Sequence, residues 1–325
     1  MKNLMTQAKI KSILKDVEAC LEKIVDFDDE FIRERALFNL RAGGKRLRPI
    51  FVSLTAQYFG VKNKEVTEFA AIMELIHMSS LIHDDVNDCS ALRRGQRTIN
   101  DEYGNEVAVH IGDYILIEAL NKVYEISHTE KLLRILSNTA VEMSKGEIAQ
   151  IASMFDPTQT VESYYYRIER KTAILLATCS QTGAILANAN EKQVTDFYNY
   201  GYHLGMAFQI KDDLLDIIPS DKNIGKPIGH DLENGLVNLP TILLLQKDFP
   251  EKEHIIQLIK EKFPNGREDL EYIMSLVLQD DIIKACEAYI FEHINAAKEI
   301  LDTLEQNDTT KLLRETADYI YERSI

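Results

Sequence analysis

Apolar residues recur every three or four positions along almost the whole of this 325-residue chain. A period near 3.6 is the repeat of an α-helix with one buried face, and it leaves little room for any other fold. The alternation that a half-buried strand needs is absent outside these helical patterns. Only 14 glycines and 7 prolines are available to break helices. The period predicts helices over 7–24, 28–41, 47–59, 64–88, 106–126, 129–153, 159–188, 191–218, 238–247, 251–263, 266–276, 279–305 and 308–323. The stretches ELIHMSSLIH and KTAILLATCSQTGAILA are apolar or small round most of their circumference, as in helices enclosed by others. No linker, low-complexity tract or solenoid repeat divides the sequence. The expectation is one all-α domain over residues 1–325.

Composition narrows the function. A net charge of -15 argues against a nucleic-acid partner, which requires a basic surface. Basic residues nevertheless collect in islands, Lys45-Arg46-Arg48, Arg93-Arg94-Arg97 and Arg167-Arg170-Lys171. In so acidic a chain such islands point to small anionic ligands. Cys20, Cys89, Cys179 and Cys286 are scattered, with no C-x-x-C pair, which fits reduced thiols in the cytoplasm. The N-terminal stretch MKNLMTQAKIKSILKDVEACLEK is charged and amphipathic and lacks the apolar region of a signal peptide. No apolar run approaches the roughly 20 residues of a membrane span. A soluble, cytoplasmic protein is expected.

The chemistry centres on two acidic clusters, Asp84-Asp85-Val86-Asn87-Asp88 and Asp212-Asp213-Leu214-Leu215-Asp216. Both have the form D-D-x-x-D and both end an apolar helical stretch. On a helix, positions i and i+4 lie one above the other. Asp84 and Asp88 therefore share a face, with Asp85 beside them, and Asp212, Asp213 and Asp216 repeat the arrangement. Carboxylates crowded at the end of an apolar helix repel one another and lose hydration. A hard divalent cation removes that cost, and Mg²⁺ commonly completes its shell with water and substrate phosphates. One such cluster in an acidic chain is usually a solvated face. Two copies, each accompanied by basic residues, point to metal-held diphosphate.

The basic and polar residues nearby fit the same ligand. Gly43-Gly44-Lys45-Arg46-Leu47-Arg48-Pro49 lies between two predicted helices. Its glycines admit close backbone approach, Lys45 and Arg48 supply charge, and Pro49 suits the first turn of the next helix. It is not a P-loop, for it lacks that spacing and a preceding strand. Arg93 and Arg94 present rigid donor forks. His77 stands seven residues before Asp84, on the same helix face. Lys171-Thr172 interrupts an apolar helix, so Lys171 is expected to be buried and to need an anion. Gln209 sits one turn before Asp213, and Lys226 lies in a following loop where it could close over phosphates.

The stretches GGKRLRP, ELIHMSSLIHDDVNDCSALRRG, GDYIL, KGEIAQ, RIERKTA, GMAFQIKDDLLD and GKPIGHDLENG follow in that order from Gly43 to Gly235. In them the chain resembles the trans-isoprenyl (polyprenyl) diphosphate synthases, most closely the bacterial medium- and long-chain members such as those that build heptaprenyl diphosphate. The resemblance implies the isoprenoid synthase fold, an antiparallel helix bundle around a deep central cavity, usually paired as a dimer. It implies that Asp84, Asp85, Asp88, Asp212, Asp213 and Asp216 hold Mg²⁺ on an allylic diphosphate. It assigns Gly44, Lys45, Arg48, His77 and Arg94 to isopentenyl diphosphate. Arg93, Lys171, Thr172, Gln209 and Lys226 go to the allylic diphosphate or the reacting centre. The partners implied are these two substrates and either a second copy or a small dissimilar subunit. The product partitions into membranes and could serve as a quinone side chain. The chain departs from the family pattern at Cys89, at Arg97 and at Leu236, where many members have a lysine that contacts phosphate.

The implied reaction needs no Ser, Cys or His nucleophile. The cations stabilise a departing diphosphate. The allylic carbocation is shielded from water and flanked by the oxygen dipoles of Thr172 and Gln209, and the isopentenyl double bond attacks it. Repetition would give an all-trans chain. Small Ser79 and Ser80 upstream of the first cluster are expected to leave a passage open along a helix about 30 Å long at ~1.5 Å per residue, room for roughly six to eight isoprene units. The alternatives are a shorter farnesyl or geranylgeranyl product, a terpene cyclase, and a non-catalytic subunit. Two complete acidic clusters and GGKR with Arg93-Arg94 weigh against the last two.

Overall fold

The computed structural model describes residues 4–218 and 228–323, almost wholly helical among them. The chain forms two compact units. The first draws on Met1–Ser137, Thr178–Tyr198 and Asn307–Leu312. It contains α1 (Ala8–Ile24), α2 (Glu30–Arg41), α3 (Leu47–Tyr58) and α4 (Lys64–Asn87). Helix α4 is central, packed by α1, by α3 and by α6 (Asn105–Lys122). Asn63 starts α4 by accepting the Val66 N–H through its side chain, the ordinary satisfaction of an orphan helix donor. The helix buries residues on every side, from Val66 through Ile82, as its unbroken apolar sequence requires.

The chain leaves α4 at Asp88 and turns away through Cys89, whose φ is 49°. A two-residue antiparallel hairpin follows, β1 (Leu92–Arg93) and β2 (Gln96–Arg97). The expectation of no sheet is corrected at this point. Arg94 and Gly95 both take positive φ, 53° and 77°, the conformation a two-residue hairpin turn demands. Four residues of strand are too few to leave an alternation in the sequence. The hairpin leads into a short helix missed by the periodicity, α5 (Ile99–Tyr103), capped by the Thr98 side chain.

The second unit draws on Asn138–Ala177, Asn199–Gln306 and Leu313–Ile325. Its segments lie in α7 (Thr129–Ala152), α8 (Val161–Ile168), α9 (Ile174–Leu186), α10 (Glu191–Ile217), α11 (His230–Glu233), α12 (Leu239–Gln246), α13 (Lys252–Lys260), α14 (Arg267–Val277), α15 (Asp280–Asp302) and α16 (Asp308–Tyr321). Thr160 and Ser163 form a reciprocal capping box at the start of α8.

The helix predicted over 159–188 is not continuous. Glu169–Ala173 forms a π-helical turn between α8 and α9, and it carries Lys171 and Thr172. Two glycines press other helices onto this turn. A Cβ on Gly205 of α10 would stand 2.4 Å from Ala173 Cα, and one on Gly146 of α7 would stand 2.8 Å from the Lys171 backbone nitrogen. Neither helix could come so close with a side chain there. Among the described residues no helix is long and apolar enough to cross a membrane.

Candidate active site

In the first unit, α4 and the hairpin place an arginine nest beside the first acidic cluster. Arg46 takes a left-handed backbone conformation at the start of α3 and turns inward. Its guanidinium donates to Glu18 at 2.7 Å, to Glu74 at 2.9 Å and to the Leu40 carbonyl at 2.7 Å. Of the Lys45-Arg46-Arg48 island, Arg46 is thus a structural residue, a distinction the sequence did not make. Arg48 keeps a buried Nε without a partner, and Glu74 a buried Oε2 without one. Arg94 lies against Gly44, where a Cβ would meet Arg94 Nη2 at 2.8 Å, and a φ of 147° at Gly44 disfavours any residue with a side chain. His77 stands among these groups. Burial and the charges of Arg48, Arg94, Arg93 and Arg46 hold its pKa well below the ordinary 6.5, so it faces the nest as a neutral imidazole. Arg46, Glu74, His77, Arg93 and Arg94 line a small cavity of about 20 Å³. A half-buried cluster so rich in cations favours an anion.

Within the first acidic cluster the carboxylates differ. Asp85 is 3% exposed and accepts Arg93 Nε at 2.6 Å. Asn100 of α5 donates to the Asp85 and Ser90 carbonyls at 3.2 and 3.1 Å, tying α5 to the end of α4. Burial pushes the Asp85 carboxyl up, against the pull of Arg93. Asp84 is half-buried and Asp88 exposed. Of the two serines, Ser79 is buried and donates to the Gly112 carbonyl of α6 at 2.8 Å. Ser80 is half-buried and bonds back to the His77 carbonyl at 2.8 Å. Ser79 is a contact between α4 and α6, and Ser80 alone retains the exposure that a passage needs.

In the second unit, a relay of hydrogen bonds joins the π turn to the second cluster. Thr172 Oγ1 donates to Gln209 Oε1 at 2.7 Å, and Gln209 Nε2 donates to Asp213 Oδ1 at 2.7 Å. Tyr164 of α8 donates to Asp213 Oδ2 at 2.6 Å. Asp213 is 3% exposed and both its oxygens are engaged. Burial pushes its carboxyl up to about 6, despite those donors. Asp216 accepts the Asp231 N–H at 3.1 Å. Burial, with the charges of Asp213 and Asp216, drives the Asp231 carboxyl well above its ordinary range. Asp231 therefore joins the acidic cluster, although it lies fifteen residues past Asp216. Its only sequence signal is its place in GKPIGHDLENG. Asn238 donates to Asp231 at 2.8 Å and accepts Arg167 Nη2 at 2.6 Å. Arg167, read as one of an anion-binding island, thus supports this network from a buried position. Lys171 is not buried as expected. It is half-buried and pairs with Glu147 of α7 at 2.9 Å. Tyr164 and Arg323, which pairs with Asp212, carried no signal in the sequence. Lys226 lies outside the described residues.

Among the described residues no three His, Cys, Asp or Glu side chains form a ready cage for a metal. Each cluster instead has one buried carboxylate, Asp85 or Asp213, and an i, i+4 pair that is less buried, Asp84 with Asp88 and Asp212 with Asp216. Mg²⁺ takes one or two carboxylates and completes its octahedron with water and phosphate oxygens. The mutual repulsion of Asp213, Asp216 and Asp231 is what a divalent cation relieves. The donor set fits a metal of this kind as a partial ligand set.

Comparison with known proteins agrees with the geometry. A family model described as polyprenyl synthetase matches residues 29–277. Heptaprenyl diphosphate synthase component 2 of Bacillus subtilis is 37% identical over 323 residues, covering 99% of this chain and 91% of that protein. Octaprenyl diphosphate synthase of Escherichia coli is 33% identical over 258 residues, 79% of each chain. The crystal structure of heptaprenyl diphosphate synthase from Staphylococcus aureus superposes with a TM-score of 0.90 at 30% identity, covering 96% of this chain and 98% of that one. A polyprenyl synthase from Caulobacter crescentus, solved with calcium and isoprenyl diphosphate, gives a TM-score of 0.91 at 28% identity over 99% of this chain and 97% of that one. The almost wholly helical fold is that of an isoprenoid synthase, and the chain belongs to the polyprenyl synthetase family of trans-prenyl diphosphate synthases.

Proposed function

We propose that this prenyltransferase condenses isopentenyl diphosphate with an allylic diphosphate, using Mg²⁺, and repeats the step to a medium or long all-trans product of roughly six to eight isoprene units, set by an α4 about 30 Å long from Glu65 to Asp84. The observation that carries the reading is the cationic nest around His77, about two helical turns before Asp84 on the same face of α4. Lys45, Arg48, Arg94 and neutral His77, with the Gly44 backbone, receive the isopentenyl diphosphate. The relatives named for heptaprenyl and octaprenyl products and the small, half-buried Ser80 support the chain length.

The chain's own groups divide the labour. Asp84, Asp88, Asp212 and Asp216 are the carboxylates available to a divalent cation, with Asp85 and Asp213 as buried members of the same clusters. When bound, the cation supplies charge to stabilise the departing diphosphate. Arg93, Lys171 and Lys226 add positive charge on the allylic side. Thr172 and Gln209 hold oxygen dipoles at the π turn, where a developing allylic cation is stabilised. The isopentenyl group, fixed by the nest, presents its double bond. The departing proton goes to released diphosphate, since no side chain with a matched base is needed.

The family model spans sequence from both compact units, which supports one synthase domain over 1–325; the cytoplasm is its proposed place of action. A protein partner, a second copy or a small dissimilar subunit, is supported by the relatives named component 2. Exposed apolar side chains support it too, at Val141, Ile148 and Ile151 on α7 and at Ile117 on α6. Incubation with radiolabelled isopentenyl diphosphate, an allylic primer and Mg²⁺, followed by chromatography of the extracted lipids, tests the reading. A ladder ending near seven units is expected. Absence of any elongated product, with and without added candidate subunits, would overturn it.

A further inference from the structure

Arg323, two residues beyond the end of α16, reaches back to Asp212 of the second acidic cluster. Its side chain is only 8% exposed. The guanidinium lies over the Phe208 ring, 4.1 Å from the centroid, one turn before Asp212 on α10. One nitrogen donates to Asp212 Oδ1, while Nε and Nη1 are buried with no partner. A buried arginine ordinarily satisfies several of its five donors. Here a single carboxylate holds it, and that carboxylate is one of the less buried acids offered to a metal. A guanidinium and a divalent cation cannot both take full possession of the same oxygen.

We propose that Arg323 is a cationic placeholder: it neutralises Asp212 in the metal-free protein and is expelled when a divalent cation loads, so that metal binding releases the C-terminal end of α16. The proposal rests on the metal reading of the second cluster given above. Phe208 keeps the guanidinium close by through its ring face and is indifferent to the metal. The unsatisfied Nε and Nη1 make the paired state easy to abandon, because release into water restores their hydrogen bonds. Removing Arg323 therefore removes a competitor and a neighbouring positive charge, and both changes favour the metal.

The test is Mn²⁺ binding followed by electron paramagnetic resonance, in a background of Asp84→Ala and Asp88→Ala that silences the first cluster. Arg323→Gln should tighten Mn²⁺ binding about fivefold or more, and Arg323→Lys should fall between it and the wild-type residue. Amide exchange in the last turn of α16 should quicken when Mg²⁺ is added to the otherwise unaltered protein, a readout that does not depend on how the variant folds. Unchanged or weaker Mn²⁺ binding in Arg323→Gln, with α16 still helical and with Asp212→Asn abolishing binding, would overturn the placeholder alone. Mn²⁺ binding that survives Asp212→Asn intact would overturn the metal reading and the placeholder together.

Discussion

Gly205→Ala is the sharpest test of how the π turn positions the site. Residues 205 and 209 lie one helical turn apart on the same face of α10. The new Cβ would stand 2.4 Å from Ala173 Cα, 2.9 Å from Ala173 Cβ and 3.1 Å from the Ala173 carbonyl. Carbon atoms settle near 3.5–4.0 Å, so α10 must withdraw by about 1–1.5 Å. The Thr172–Gln209 bond, 2.7 Å long, then passes the roughly 3.2 Å limit of a sound hydrogen bond. Overpacking of this kind costs about 1–3 kcal/mol. Without the clash the same substitution would stabilise α10 by about 1 kcal/mol, since alanine is the better helix former. The sign is therefore decisive. The variant should melt a few degrees lower by calorimetry, and kcat should fall by about two orders of magnitude, the scale of a 1 Å misplacement. The KM for isopentenyl diphosphate, which we assign to residues of the first unit, should change little. A variant that melts higher than wild type with unaltered kcat would refute both the close contact and the positioning role of the turn.

Asp84→Ala and Asp212→Ala should each lower kcat by several orders of magnitude in a folded protein, through lost charge stabilisation; near-normal turnover at saturating Mg²⁺ would count against the assignment. Lys45→Ala should raise KM chiefly for isopentenyl diphosphate, and an effect confined to the allylic primer would reverse the division of the substrates. Ser80→Phe should shorten the main lipid product by several isoprene units, as read by chromatography. Ser79→Phe should instead destabilise the fold by about 1–3 kcal/mol, because Ser79 is buried against α6. His293 is buried, its Nδ1 3.0 Å from His203 Nδ1, and burial holds its pKa down to about 4 from the ordinary 6.5. The unfolded chain therefore takes up the proton first. Full stability is present above about pH 6.5 and is lost as pH falls toward 4, by roughly 2 kcal/mol at pH 5 for this one group. Urea midpoints at pH 7 and pH 5 should show that loss, and His293→Gln should shrink it.

Much of this protein is local and therefore readable along the chain. Helix existence follows from apolar periodicity, and nearly every predicted helix is present, because a buried face repeats every turn wherever the helix lies. The i, i+4 geometry of Asp84 with Asp88 and of Asp212 with Asp216 is likewise a property of a single helix. The identity of the family rests on short stretches that each carry their own spacing. The π turn at Glu169–Ala173 could not be read this way: it lies where two other helices approach closely through Gly146 and Gly205, a contact no local pattern carries. Nor could the separation of roles inside each D-D-x-x-D. Asp85 is turned inward by Arg93 across a hairpin too short to leave a pattern, and Asp213 by Tyr164 on a different helix. Arg46 and Arg48, two residues apart, look alike in sequence, yet one is consumed by Glu18 and Glu74 while the other keeps a free donor. Asp231 and Arg323 reach the second cluster from fifteen and 111 residues away. Propensity and period act over one or two turns of chain, whereas burial and charge pairing depend on which distant residues the packing brings within a few ångströms, and at this site it is the packing that decides what each carboxylate and each arginine can do.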